Sequence, residues 1–137
     1  MAKQTATESN YSATIIESSR ELTARERVMF KDTQNAISMN DFAESAKSAD
    51  GKAIIENVTD YVHIMVHNDK SDDKDYDNYM VIDGNGDKYV TGSKAFWNAF
   101  MDIYNEMKDE TEPWNIQLNL IPSKNYKGKN VLTCSLV

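Results

Sequence analysis

From Ala53 onward, short segments of β type surround one amphipathic helix, and this order restricts the fold more than any other feature of the sequence. Residues 61–67 alternate in hydropathy, and every second residue from Val62 to Val66 is aliphatic, which places these side chains on one face of a strand. We interpret that face as the core side of a long first strand. The strand is predicted to start at Ala53 and to bend near Thr59.

Turn and cap signals divide the rest of this region. The Asp83–Gly86 segment predicts a tight hairpin, because Asp-Gly and Asn-Gly supply the positive φ angles that hairpin turns need. Ser93 is a good N-cap for a helix whose apolar residues recur every three or four positions. The predicted elements are a strand over 53–67, strands over 78–82 and 87–91, a helix over 94–108, and strands over 115–121 and 131–136.

The resulting order β-β-β-α-β-β predicts a mainly β protein. Five short antiparallel strands cannot bury an apolar face alone, so they must curl into a barrel or pack on the helix. The five-stranded Greek-key barrel of the OB type meets this need, with the helix closing one end. An open α+β sheet is the alternative architecture.

The N-terminal region carries different signals. Residues 1–19 are rich in Ser, Thr, Ala and Gln and have no sustained period, which predicts a flexible arm. Thr23 and Glu26 fit a capping box, so a short helix is expected to begin there and to reach about Lys31. The conformation of residues 33–52 is left open, and residues 20–137 are expected to form a single OB-like domain.

Charge is unevenly distributed over the 137 residues, whose net charge is −7. Residues 68–87 hold seven aspartates and two lysines, whereas residues 88–137 hold six lysines and five acids. An acidic total disfavours non-specific binding to a polyanion, but salt limits its reach to about 10 Å and leaves room for a local basic groove. With one cysteine, Cys134, and no long apolar segment, we expect a cytoplasmic protein without disulfides or membrane contact.

Patterns for catalysis or metal binding are incomplete. His63 and His67 share a strand face about 13 Å apart, which is too far for one metal ion. Asp83–Asp87 resembles the start of a calcium loop, but Lys88 and Lys94 occupy the positions that need glycine and a bidentate glutamate. No acid/base pair, nucleophile or phosphate loop is recognisable, so we expect no enzyme, no catalytic residue, no metal and no cofactor.

Aromatic and basic residues favour binding of single-stranded nucleic acid, in which bases stack on rings and phosphates meet cations. The predicted stacking residues are Tyr61, His63, Tyr79, Tyr89 and Tyr126, and the predicted phosphate contacts are Lys88, Lys124, Lys127 and Lys129, with Gln34 and Asn35 as weaker candidates. Tyrosines on strands also cover core edges, and the loop over 123–129 also fits a solvated turn.

The layout of residues 53–137 resembles the small OB-fold single-stranded DNA-binding proteins of phages and conjugative plasmids of Gram-positive bacteria. The features that carry the resemblance are the strand over 61–67 with its acidic loop, the Asp83–Gly86 hairpin with Lys88-Tyr89, and the segment from Ser123 to Cys134. The resemblance implies a non-catalytic protein that coats single-stranded DNA during replication or conjugative transfer, and the choice between DNA and RNA is left open. The chain departs from the bacterial housekeeping pattern, because it ends in strand residues rather than in an acidic tail tip.

Two expectations about partners remain. The N-terminal arm is predicted to link subunits into a homo-oligomer along DNA. Alternatively, the chain is an acidic protein-interaction module of a mobile element, in which the run from Asp69 to Asp77 mimics phosphates and occupies a host protein.

Overall fold

The structure is a computed structural model that describes residues 11–70, 74–125 and 127–137. Within these residues there are eight strands and three α-helices. The strands are β1 (Tyr11–Ser18), β2 (Ile37–Ser38), β3 (Ala53–Ile55), β4 (Val58–Asn68), β5 (Asp75–Asp83), β6 (Lys88–Thr91), β7 (Ile116–Pro122) and β8 (Asn130–Leu136). The helices are α1 (Ala24–Lys31), α2 (Met39–Ser48) and α3 (Lys94–Met107), and a 3₁₀ turn spans Thr33–Asn35.

The strands form two sheets. The larger has the order β1-β4-β5-β6-β2 and the smaller has the order β3-β7-β8. Only Glu56 and Asn57 separate β3 from β4, and Asn57 has a φ of 54°, so the chain passes from one sheet to the other at this point. The predicted first strand is therefore two strands, and the irregular register around Thr59 lies where a bend was expected.

The prediction of a mainly β fold is confirmed. Within the described residues, β6 does not pair with β8, so backbone hydrogen bonds do not close the strands into a barrel. A side-chain contact links the two strands instead, because the Ser93 hydroxyl just after β6 donates to the Leu132 carbonyl of β8 at 2.8 Å. The same Ser93 oxygen accepts from the Phe96 N–H and caps α3, as predicted.

Both faces of the larger sheet are covered, and this differs from the expected single core face. One face packs on the aromatic residues of α3, including Trp97 and Phe100. The other face is aliphatic and packs on Leu22 and on Phe30 of α1. This second face holds the fully buried side chains of Val62, Ile64, Val66 and Met80, together with the nearly buried Ile82.

The N-terminal region is more ordered than predicted. Residues 11–18, expected to be part of a flexible arm, pair with β4 as strand β1, while residues 1–10 lie outside the described residues. Ala13 and Ile15 of β1 pack against the aliphatic face of the sheet, which gives the strand a reason to form. The capping box is confirmed, since the Thr23 hydroxyl accepts from the Glu26 N–H and the Glu26 carboxylate accepts from the Thr23 N–H.

The hairpin between β5 and β6 is confirmed as well. The buried Asp83 carboxylate accepts hydrogen bonds from the backbone N–H groups of Asn85 and Asp87, each at 2.9 Å. Gly86 has a φ of 86°, the left-handed conformation that glycine adopts without steric cost. This carboxylate thus fixes the turn.

Among the described residues, no helix is long and apolar enough to cross a membrane.

Candidate nucleic-acid interface

Three of the tyrosines predicted to stack on bases lie in the interior. Tyr61, Tyr79 and Tyr89 retain 6%, 1% and 9% of their exposure. The Tyr79 ring stacks on Trp97 at 4.8 Å between centroids, and Trp97 also contacts the edge of Tyr61 at 5.4 Å. The face that carries these rings is covered by α3, so they form the core and present no surface to a base.

The phenol groups of these tyrosines also behave as interior groups. Burial raises the pKa of Tyr61 and Tyr79, and it raises the pKa of Tyr89 to about 12. The Tyr89 hydroxyl donates to the second oxygen of the Asp83 carboxylate at 3.2 Å, so this buried polar group is satisfied. Tyr89 therefore joins the hairpin turn to the core.

His63 and Lys88 are held by contacts within the protein. The His63 ring packs on Tyr79 at 4.9 Å, and its Nε2 lies 2.8 Å from an oxygen of Asp77. The Lys88 ammonium donates to the carbonyls of Met29 and Asp32 at 2.7 and 3.0 Å. A cation at these carbonyls stabilises the C-terminal end of α1, so Lys88 has a structural role that competes with phosphate binding.

The weaker candidates lie near that contact. Gln34 and Asn35 are exposed on the 3₁₀ turn, and the Asn35 amide donates to the Asp32 carboxylate. Gln34 and Asn35 follow closely after the C-terminal end of α1, to which Lys88 binds, and they are far in sequence from the loop over 123–129. Asp32 links Asn35 to Lys88, but among the described residues no hydrogen bond or ion pair joins this group to the loop over 123–129.

The acidic end of the β4–β5 hairpin is partly neutralised by His67. Both ring nitrogens of His67 approach carboxylates, Nδ1 at 2.7 Å from Asp75 and Nε2 at 2.9 Å from Asp69. The hydrogen bond with Asp75 and the charges of both aspartates raise the pKa of His67. The carboxylates that a phosphate mimic would present are therefore engaged in part with this histidine.

Other exposed lysines lie on segments that border β7 and β8, and we call this set the lysine-rich end. It consists of six exposed lysines from four parts of the chain: Lys47, Lys52, Lys94, Lys124, Lys127 and Lys129. The ion pairs among the described residues involve none of these six side chains. Tyr126, predicted as a stacking residue, belongs to the same loop by sequence but lies outside the described residues.

The segments that carry these lysines all have a link to the pair of Leu120 with Leu132. The turn with Lys124, Lys127 and Lys129 begins two residue pairs beyond it, after Pro122 pairs with Asn130, and is closed by a hydrogen bond from the Ser123 N–H to the Lys129 carbonyl. Lys94 follows Ser93, which binds the Leu132 carbonyl. Lys47 and Lys52 line a groove that Leu120 also lines.

One acidic segment lies at the opposite end of β7 from the turn, whereas Asp50 lies two residues before Lys52 and lines the groove with it. The segment from Asp109 to Glu112 leads into Trp114 and hence into the first residue of β7, whereas the lysine-bearing turn follows the last. Seven residues of strand span about 20 Å, and at physiological salt the screening length is about 8 Å. The strand thus separates the turn with Lys124, Lys127 and Lys129 from this acidic segment by more than the screening length, while Asp50 stays close to Lys47 and Lys52.

The sequence predicted three of these six lysines and missed Lys47, Lys52 and Lys94. Lys94 was visible only as the first residue of a helix, and the segment containing Lys47 and Lys52 had no assigned conformation. Their approach to the turn depends on the pairing of β3 with β7 and on the Ser93 contact, which are contacts between residues distant in sequence. No local signal could have found them.

We also searched the described residues for a metal site and for a reactive cysteine. No group of three or more His, Cys, Asp or Glu side chains there could hold a metal ion. Cys134 is buried in β8, and burial raises the pKa of its thiol to about 12, which keeps it protonated and unreactive at neutral pH.

Comparison of the chain with protein-family models, with curated proteins and with solved structures gave no match.

Proposed function

We propose that this protein binds single-stranded DNA with little sequence preference through its lysine-rich end. The observation that carries the proposal is a set of six exposed lysines on segments that border β7 and β8, with no ion-pair partner among the described residues. Cationic grooves that follow a phosphate backbone are the common basis of sequence-tolerant binding to single strands. The same surface would accept RNA, and the experiment below includes it.

The proposed barrel is of the partly open OB type. The bent β3–β4 segment, followed by β5, β6, α3, β7 and β8, has the strand order of such a barrel, with a gap between β6 and β8 where Ser93 makes its contact. In this fold the loop between the last two strands binds oligonucleotides. In the present chain that loop is the turn with Lys124, Lys127 and Lys129.

The proposed mode of binding differs from the one that the sequence favoured. Since Tyr61, Tyr79 and Tyr89 are core residues, phosphate contacts rather than a row of stacked bases supply the affinity. Of the predicted stacking residues, Tyr126 remains a candidate for stacking on a base, because in sequence it belongs to the loop that carries these lysines. Such a site predicts strong dependence on salt and weak dependence on base identity.

The test is fluorescence anisotropy with labelled oligo-dT, oligo-dA and oligo-U of about 16 nucleotides, the upper end of the site size of one barrel. We compare the wild-type protein with a K124A/K127A/K129A variant over a series of salt concentrations. Each phosphate contact contributes about 0.7 to the slope of log affinity against log salt, so the variant should lose about 2 from this slope.

The matched control is K70A/K74A/K108A, which removes the same charge from three exposed positions outside the lysine-rich end. It should leave the salt slope unchanged. Absence of binding by the wild-type protein at low salt, or equal losses in the two triple variants, would contradict the proposal.

A further inference from the structure

We infer that the bound strand continues from the β7–β8 turn into the groove between α2 and β7, where Lys47 and Lys52 bind phosphate and Asn119 contacts a base. This inference rests on the proposed function, since it extends the same interface. The groove has a volume of about 270 Å³ and lies directly beside the Leu120–Leu132 pair.

The walls of the groove come from two elements that the fold brings together. The C-terminal part of α2 and the residues after it supply Lys47 and Lys52, and β7 supplies Gln117 and Asn119. Small or aliphatic residues also line the groove, namely Ala43, Ala46, Ala53, Leu118 and Leu120, together with Asp50 and Gly51. The lining therefore combines cationic, amide and apolar groups, which are the groups that a phosphate, the edge of a base and its ring face require.

The amides are already oriented. The Gln117 amide donates to the Asn119 carbonyl oxygen at 3.1 Å, and the Asn119 amide donates to the Ser135 hydroxyl at 3.1 Å. This chain of hydrogen bonds fixes the plane of the Asn119 side chain and leaves one of its N–H groups without a partner among the described residues. An oriented amide can bind the edge of a base at small entropic cost.

The path from the turn to the groove is continuous. Ser123, at the start of the turn, lies four positions after Asn119, or about 13 Å along the extended chain. Lys52 directly precedes Ala53, which pairs with Leu118, so β3 holds this lysine next to β7. A strand bound at the turn therefore reaches Lys52 without crossing an acidic segment of β7.

One carboxylate lines the groove and provides a test by gain of affinity. Asp50 lies between the two lysines in sequence and adopts a φ of 58°. Asparagine tolerates this conformation, so Asp50→Asn removes the negative charge while keeping the turn. In the proposed arrangement this carboxylate repels the incoming phosphate.

The experiment uses the full chain and the oligo-dT probe described above. We expect K47A/K52A to lower the salt slope by about 1.4, N119A to weaken binding by about threefold to tenfold, and D50N to strengthen it. The matched controls are K70A/K108A, N105A and E44Q, which make the same chemical changes at exposed positions outside the groove. None of the controls should differ from the wild-type protein.

The outcomes separate the two claims. If the wild-type protein binds and the turn variant is impaired, but the groove variants match their controls, then the groove is not part of the path and this inference is wrong while the proposed function stands. If the wild-type protein does not bind oligo-dT, both fail. Circular dichroism of each variant confirms that the loss of binding is not a loss of fold.

Discussion

The aromatic interior and the lysine-rich end use the same chain in opposite ways. In the interior, rings from the larger sheet and α3 pack on one another, and Tyr79 and Phe96 are almost completely inaccessible. At the lysine-rich end, six exposed lysines from four segments form no ion pair among the described residues. The difference shows that the aromatic residues build the scaffold, and in the proposed function the lysines contact the ligand.

Helix α3 covers the aromatic face of the larger sheet and so forms one side of the interior. Trp97 stacks on Phe100 at 5.6 Å and on Tyr79 at 4.8 Å, so one indole joins the helix to β5. The first turn of the same helix is fixed to β8 through Ser93. The element that covers the aromatic face therefore also brings Lys94 to the lysine-rich end.

The largest expected effect is the loss of this indole. Trp97→Ala removes the ring that contacts Tyr61, Tyr79 and Phe100 and leaves a cavity, so we expect the free energy of unfolding to fall by about 3–5 kcal/mol. Urea denaturation measures the change. K124A/K127A/K129A serves as the comparison and should change stability by no more than about 0.5 kcal/mol. Similar losses of unfolding free energy in the two variants would contradict the assignment of the aromatic residues to the scaffold and of the lysines to the binding end.

Alkaline pH provides a second way to disturb the interior alone. The pKa of Tyr89 is raised from 10 to about 12 and that of Cys134 from 9 to about 12, in both cases mainly by burial. Because the folded state holds these protons more tightly than the unfolded state, their contribution to stability is intact below about pH 9. It is lost progressively as pH rises from about 9 to 12.

The measurement is urea denaturation at several pH values, together with the tyrosine absorbance that reports ionisation. A Tyr89→Phe variant should lose less stability than the wild-type protein between pH 10 and about 12. If the absorbance shows Tyr89 ionising near pH 10 in the folded protein, then its ring is exposed, and the separation between interior and surface aromatics would be wrong.

The smallest effect concerns the acidic end of the β4–β5 hairpin. Hydrogen bonding to Asp75 raises the pKa of His67 above 6.5, so its stabilising contribution is complete below pH 6.5 and is lost as pH rises through the raised value. An NMR titration of the ring protons should show His67 titrating above pH 6.5. Asp75→Asn should lower the value for His67, and an unchanged value would contradict the contact.

Local signals predicted most elements correctly. Ser93 with the apolar spacing of α3, the Asp83–Gly86 turn and the Thr23 capping box each depend on a few neighbouring residues, and all three are confirmed. The strand β1 had a signal that was missed, since Tyr11, Ala13 and Ile15 alternate with Ser12 and Thr14. The high Ser and Thr content of residues 1–19 concealed that alternation.

The burial of each face could not be read from the sequence. Alternation shows that Tyr61 and Val62 face opposite sides of β4, but it does not show what covers either side. A tyrosine has an apolar ring and a polar hydroxyl, so it suits a core as well as a surface. The packing of α1 on one face and of α3 on the other determines which side chains are buried. Both contacts join residues that are distant in sequence.

The most direct test of the proposed interface is an NMR titration of the ¹⁵N-labelled protein with unlabelled oligo-dT. We predict that the changes in amide chemical shift concentrate in residues 123–129 of the turn, around Lys94, and in the groove near Lys52 and Asn119. The amide shifts of Tyr61 and Tyr79 should not change. Shifts centred on α1 or on the β4–β5 hairpin, or no shifts at all, would contradict the account.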